Sequence, residues 1–256
     1  VVLRFLLFAL IALPVLLRPA YSGMRGWDQA KAALWPGIFM SLSMILQTSG
    51  LKYTTATKSS FVTVTYVLMV PIIEKLFFRR SQPAAIFFYA LLGLVGTGMI
   101  CEFNPLSPMV SGTWNIGDLM TLGCALAGAG QIIALGIVSQ KIQSSVVVNI
   151  YQGLWALILP LSIAPFISGP LDVSRIDGTT ILGLVYIAIG STFVAFMLQV
   201  RAQRVLDSST ASVLFLLESP FAAFFAAIFL GEHLSPLQWA GAAVILLSSL
   251  GAIRST

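Results

Sequence analysis

The sequence predicts an all-α polytopic membrane protein, an inverted-repeat helix bundle with nine helices present, on three observations. The 256 residues are 58% hydrophobic and only 9% charged, whereas soluble domains carry about 25% charged residues. Nine apolar runs approach the roughly 20 residues that a helix needs to cross hydrocarbon. The pattern of the first half returns in the second after a shift of about 150 residues, the mark of an internal repeat.

Composition already excludes several classes. A water-soluble fold with so few charges would expose large apolar patches and aggregate, so a cytosolic globular enzyme, a disordered chain and a disulfide scaffold are ruled out. The net charge of +5 comes from scattered basic residues that form no stripe, so the expected partner is the lipid bilayer and not nucleic acid. Cys101 and Cys124 lie in apolar stretches without a CxxC or a histidine neighbour and read as packing residues. His233 beside Glu232 offers one imidazole and one carboxylate, which do not make a metal site.

Lipid supplies no hydrogen bonds to the backbone, so each run must be helical, and all are too long for the roughly 10-residue strands of a barrel. In order, Val2 to Leu17 carries Arg4, and Ala32 to Leu51 sets Met40, Ser43 and Gln47 along one face. Thr57 to Phe77 holds Lys58, Tyr66 and Pro71, and Ala84 to Cys101 holds Gly93, Gly96 and Gly98. Those glycines superficially resemble a nucleotide loop, but inside an apolar helix they read as close-packing residues. Gly117 to Val138 places Gln131 a turn from Gly128, and Val146 to Ile167 contributes Asn149, Tyr151, Gln152 and Trp155. Gly178 to Val200 aligns Thr192, Ala195 and Gln199, Ser209 to Leu230 carries Glu218 near its middle, and Leu237 to Ile253 closes the series.

Charge fixes one alternating topology, because cytoplasmic loops collect Lys and Arg. With the loop after the first helix inside, Arg18, Arg25, Lys31, Lys75, Arg79, Arg80, Lys141, Arg201, Arg204 and Arg254 face inward. Arg4, Lys52, Lys58 and Arg175 fall outside or within helix ends, while Glu102, Asp118, Asp172, Asp177 and Glu232 fall on the outer side. The C-terminus is then cytoplasmic.

A shift of 152 sets Leu46-Gln47 on Leu198-Gln199, Lys52 on Arg204 and Ser60 on Ser212. A shift of 153 pairs Pro83 with Pro236 and Gly98 with Gly251, and one of 147 pairs Ala9-Leu10-Ile11 with Ala156-Leu157-Ile158. The expected domains are residues 1–104, a first repeat of four helices lacking its first, and residues 112–256, a second, inverted repeat of five. The helix starting at Gly117 has no mate, so its partner is expected to precede Val1. An odd number of helices per repeat turns the second copy upside down, so the loop at Lys52 is outside and its equivalent at Arg204 inside.

Four features together resemble the EamA-type transporters of the drug/metabolite transporter superfamily. They are Arg4-Phe5-Leu6-Leu7-Phe8-Ala9, Gly117-Asp118-Leu119, Tyr66 followed by Pro71, and Leu217-Glu218 followed by Gly231-Glu232. One departure is that Ser219 separates Glu218 from Pro220, where the family often sets proline directly after the glutamate. The resemblance implies a five-plus-five inverted architecture in a bacterial inner membrane, with no cofactor and no enzyme activity. It also implies a secondary transporter or facilitator of small organic metabolites, amino-acid-like or amphipathic, with export the expected direction. The sequence agrees in lacking GxxxxGK[ST], HExxH and GxSxG. The alternative is a membrane-embedded structural or partner-binding protein without transport activity.

The candidate solute pathway comprises the polar residues at membrane depth: Arg4, Gln47, Tyr66, Gln131, Asn149, Gln152, Trp155, Gln199 and Glu218. Gln47 and Gln199 are repeat mates, as are Tyr66 and Glu218, so both access states could share them. Glu218 either carries a proton as the bundle rocks or braces the bundle as a neutral acid. The paired amides either offer donors and acceptors to a solute or bond helix to helix. Arg4 either sits at a cavity mouth, as the family's pattern implies, or reaches to headgroups, and Lys58 reads similarly.

Overall fold

A computed structural model describes residues 1–24, 26–80, 82–102, 115–142, 144–167, 177–231 and 233–255. The expectations placed on Arg25, Asp172, Arg175 and Glu232 lie outside the described residues. The helices are α1 (Val2–Leu16), α2 (Trp27–Ala32), α3 (Leu34–Gly50), α4 (Ala56–Thr63), α5 (Tyr66–Phe77), α6 (Ala84–Ile100) and α7 (Ile116–Ser139). They continue as α8 (Ser145–Ile167), α9 (Gly178–Tyr186), α10 (Ala195–Ala202), α11 (Ser208–Phe215), α12 (Glu218–Leu230) and α13 (Pro236–Arg254). Among the described residues there is no strand. Among the described residues six helical stretches are long and apolar enough to span a membrane, and the chain is a polytopic helical bundle.

Three predicted helices are more irregular than the hydropathy pattern implied. Thr57 to Phe77 is two half-helices, α4 and α5, because the Thr65 hydroxyl donates to the Val62 carbonyl at 2.6 Å and competes with the regular ladder. Ser209 to Leu230 likewise divides into α11 and α12. Pro220 has no N–H for the carbonyl of Leu216 and its ring crowds that oxygen, and the helix stops at Leu216 and Leu217. Glu218 is therefore the first residue of a half-helix and not the middle of a continuous one. Between α9 and α10, Ile187–Val194 is wound as a π-helix. The short helix α2 and the 3₁₀ turn Pro19–Met24 carry too few apolar positions to be read from hydropathy.

The two breaks obey one spacing. α4 and α11 are eight residues each. Thr55 caps the first by accepting from the Lys58 N–H at 3.2 Å, and Asp207 caps the second by accepting from the Thr210 N–H at 2.9 Å. The caps, and the first residues after the breaks, Tyr66 and Glu218, stand at the same 152-residue interval.

Helix contacts divide the chain into two compact units, Val1–Ile45 with Gly130–Val205, and Leu46–Ala129 with Leu206–Thr256. The first is built on Phe8, Ala12, Leu16, Leu135, Val147, Ile150 and Val200, with the Phe8 and Phe193 rings 5.9 Å apart. In the second, Val67, Ile86, Ala90, Val213, Leu216, Ile245 and Ala252 form the core. Here α6 and α13 run antiparallel. Gln238 reaches the Ile100 carbonyl at one end, and the Ser248 hydroxyl donates to the Tyr89 carbonyl at 2.6 Å toward the other. Gly96 and Gly241 meet between them, where a Cβ on Gly241 would lie 2.6 Å from the Gly96 carbonyl. Small residues at this contact let backbones approach, the main route to packing where lipid is as apolar as the side chains.

Candidate functional site

In the first unit the polar residues converge on the π-helix. Its wider turn is visible at Thr192, whose hydroxyl donates to the carbonyl of Ile187 five residues back at 3.0 Å. Such turns insert a residue that regular winding would exclude and recur at functional sites. Arg4, on α1, donates through Nε to the Thr192 hydroxyl and through Nη2 to the Ser191 hydroxyl, the latter at 2.9 Å. The arginine is thus turned onto its own unit.

From the next residue of the turn, a chain of amides continues. Asn149 Nδ2 donates to the Phe193 carbonyl at 2.9 Å, and Gln152 Nε2 donates to Asn149 Oδ1 at 3.0 Å. Both residues are buried. A second chain joins α10 to α7, with Gln199 Nε2 donating to Gln131 Oε1 at 3.0 Å and Gln203 Nε2 to the Ile132 carbonyl at 2.8 Å. Two atoms in these chains, Gln131 Nε2 and Gln152 Oε1, are buried without a hydrogen-bond partner. An unmet buried amide group costs about 1–3 kcal/mol, so the two chains are incomplete at these points. Trp155 is tied differently: its indole N–H donates to the Ala30 carbonyl at 2.7 Å and its ring lies 6.3 Å from that of Trp27.

The second unit holds the remaining three candidates. Tyr66 and Gln47 are half-buried and Glu218 is exposed. The repeat mates Tyr66 and Glu218 each open a half-helix.

This unit also contains two clusters that sequence reasoning missed. Lys58, in the first turn of α4, forms an ion pair with Asp118 of α7 at 2.6 Å, with side chains 10% and 0% exposed. Asp118 further accepts from the Thr54 hydroxyl at 2.7 Å and the Asn115 N–H at 3.0 Å. Lys58 is therefore not reaching to headgroups. The available signal was their assignment to the same membrane side. The other cluster surrounds Glu74, fully buried near the end of α5. Its carboxylate accepts from the Ser209 hydroxyl at 2.7 Å, Gln82 Nε2 at 2.9 Å and Arg80 Nη1 at 3.3 Å. Arg80 and Gln82, six and eight residues further along the chain, were the signal there.

Comparison with known proteins agrees with this membrane architecture. The model of the EamA-like transporter family matches residues 115–254. The chain is 34% identical over 245 residues to an uncharacterized transporter of Archaeoglobus fulgidus, covering 96% of this chain and 73% of that protein. A solved crystal structure of 16% identity has a TM-score of 0.79, covering 98% of this chain and 86% of that one. At that identity the likeness concerns fold alone.

Proposed function

Because the chain belongs to the EamA-like transporter family, whose members are membrane transporters, we propose that it moves small organic metabolites by alternating access between two inverted repeats, residues 1–104 and 112–256. The observation that carries this reading is the recurrence of a broken helix at a constant 152-residue interval, with α4 and α11 of equal length. Discontinuous helices at repeat-related positions are where secondary transporters hold substrates and coupling ions. A break frees carbonyls and N–H groups at membrane depth, which only a neighbour, a cavity or a guest can satisfy.

The pathway in this reading runs along Gln47, Tyr66, Gln199 and Glu218, with Arg4, Gln131, Asn149, Gln152 and Trp155 contributing polar and aromatic contacts. Neutral amides bind a polar solute without the desolvation cost of fixed charge. In this reading, Glu218, at the start of α12, is the group through which proton exchange couples flux to pH. Export is the expected direction, across a cell membrane with the C-terminus in the cytoplasm.

Efflux from proteoliposomes over a panel of amino acids, nucleosides and amphipathic cations, with and without a pH gradient, tests the reading. Saturable flux of at least one solute class is expected, with its pH dependence abolished by Glu218→Gln. Absence of protein-dependent flux across the panel would favour the structural, partner-binding alternative.

A further inference from the structure

We infer that residues 75–80 at the end of α5, together with Arg254 at the end of α13, form a surface that binds the headgroups of anionic phospholipids. This surface does not depend on which solute the protein moves.

Four cations gather at one boundary of the second unit. The stretches Ala56–Phe77 and Pro236–Arg254 are each long and apolar enough to span a membrane, and both end here. Along the antiparallel pair α6 and α13, Gly96 lies against Gly241 and Ser248 against Tyr89. The same register sets Arg254 level with Pro83, the N-cap of α6. Lys75, Arg79, Arg80 and Arg254, all exposed, therefore share one edge. The acids at this end are already engaged. Glu74 takes three donors, and Asp207, two residues before Ser209, accepts the Thr210 N–H and hydroxyl with its two oxygens. Among the described residues no acid pairs with Lys75, Arg79 or Arg254. Arg80 gives Glu74 one nitrogen, Nη1, while its side chain stays 45% exposed.

The backbone singles out Arg79. Its φ of 52° lies in the left-handed region, which suits glycine at a helix end and costs any residue with a Cβ. The turn is held by the N–H groups of Phe78 and Arg80, which both donate to the Glu74 carbonyl, at 3.1 and 3.2 Å. A guanidinium kept where glycine would fold more easily marks a position held for function.

The neighbouring side chains make the partner a lipid and not a free anion. Leu76, Phe77 and Phe78 are 68%, 76% and 46% exposed, three consecutive apolar residues beside the cations. Apolar groups flanked by Lys and Arg suit a membrane–water boundary, with acyl chains on one side and phosphates on the other. Guanidinium groups take phosphate oxygens in bidentate fashion, and the lysine adds a point charge. A zwitterionic headgroup brings its own cation, which the cluster repels, so the preference falls to anionic lipid. In the topology expected from the loop charges this end meets the cytoplasmic leaflet, whose surface potential is negative.

Native mass spectrometry of the full chain in detergent, titrated with phosphatidylglycerol or phosphatidylcholine, tests this. The wild type should prefer phosphatidylglycerol, and changing Lys75, Arg79 and Arg254 together to Gln should weaken that binding by about tenfold or more. Arg80 is left in place because its loss would strand the Glu74 carboxylate. Changing Lys31, Lys141 and Arg201 to Gln removes as much charge elsewhere and should leave the preference intact. Because neutralised loops can alter insertion, Arg79→Gly gives a second readout. It relieves the left-handed strain and removes the guanidinium, so it should raise thermal stability in lipid-free detergent while weakening phosphatidylglycerol binding. Equal affinity for the two lipids in the wild type, equal losses in the two triple variants, or undiminished phosphatidylglycerol binding in Arg79→Gly would overturn the inference. So would displacement of phosphatidylglycerol by an equal concentration of glycerol phosphate, which assigns the cations to a soluble phosphoester.

Discussion

The two compact units treat their buried charges and amides differently, although each also leaves buried hydroxyls unpaired, Ser41 in the first and Thr63 and Ser249 in the second. In the second, each buried charge is closed: Asp118 by Lys58, Thr54 and Asn115, and Glu74 by Ser209, Gln82 and Arg80. The first carries amides and one guanidinium, with bonds that stop short at Gln131 Nε2 and Gln152 Oε1. Satisfied networks rigidify a fold, whereas unsatisfied ones persist only where something else is gained. In the transport reading, the difference separates polar groups that hold helices from polar groups that would meet a solute.

The largest expected effect tests the closed side. Asp118→Asn leaves the Lys58 ammonium buried without its counter-charge, which costs about 3–5 kcal/mol, read as a large fall in thermal stability in detergent. Replacing both partners by apolar residues of similar volume should recover much of the loss. If Asp118→Asn matched the wild type in stability, this pair would belong with the open groups and the comparison would break.

Glu74→Gln is a milder probe. It removes the charge that draws Arg80 and turns an amide donor toward Ser209 or Gln82, so a loss of about 1–3 kcal/mol is expected. Flux per correctly folded molecule should remain near that of the wild type. A stable variant with lost pH dependence would instead move the proton-exchanging role from Glu218 to Glu74.

Much of this architecture was legible in the sequence because hydrophobic length and backbone satisfaction leave helices as nearly the only solution. The breaks were not, since Pro71 and Pro220 show where a ladder is weakened and not where it yields. The 152-residue repeat placed Tyr66 opposite Glu218, and both proved to open half-helices. Pairings across helices were the harder part. Lys58 and Asp118 lie sixty residues apart, and Glu74 meets Ser209 across a still longer separation, distances at which periodicity carries no information. Arg4 was visible as a charge in an apolar run, but its anchoring by Ser191 and Thr192 depends on a π-helix that hydropathy cannot register. Gln199 bonds helix to helix through Gln131, the bracing reading of its amide.

The distinction between open and closed polar groups is tested most directly by measuring flux and thermal stability together in Gln131→Leu and Gln152→Leu. Each substitution fills similar space and removes an amide with an unmet atom, although Gln152→Leu also frees Asn149 Oδ1 and Gln131→Leu frees the Gln199 amide. The account predicts that solute flux in proteoliposomes falls by roughly tenfold or more while stability changes by less than about 1 kcal/mol, because the lost bonds are offset by relief of unmet burial. Unchanged flux, with stability lowered to the extent of Asp118→Asn, would show these amides to be braces and contradict the account.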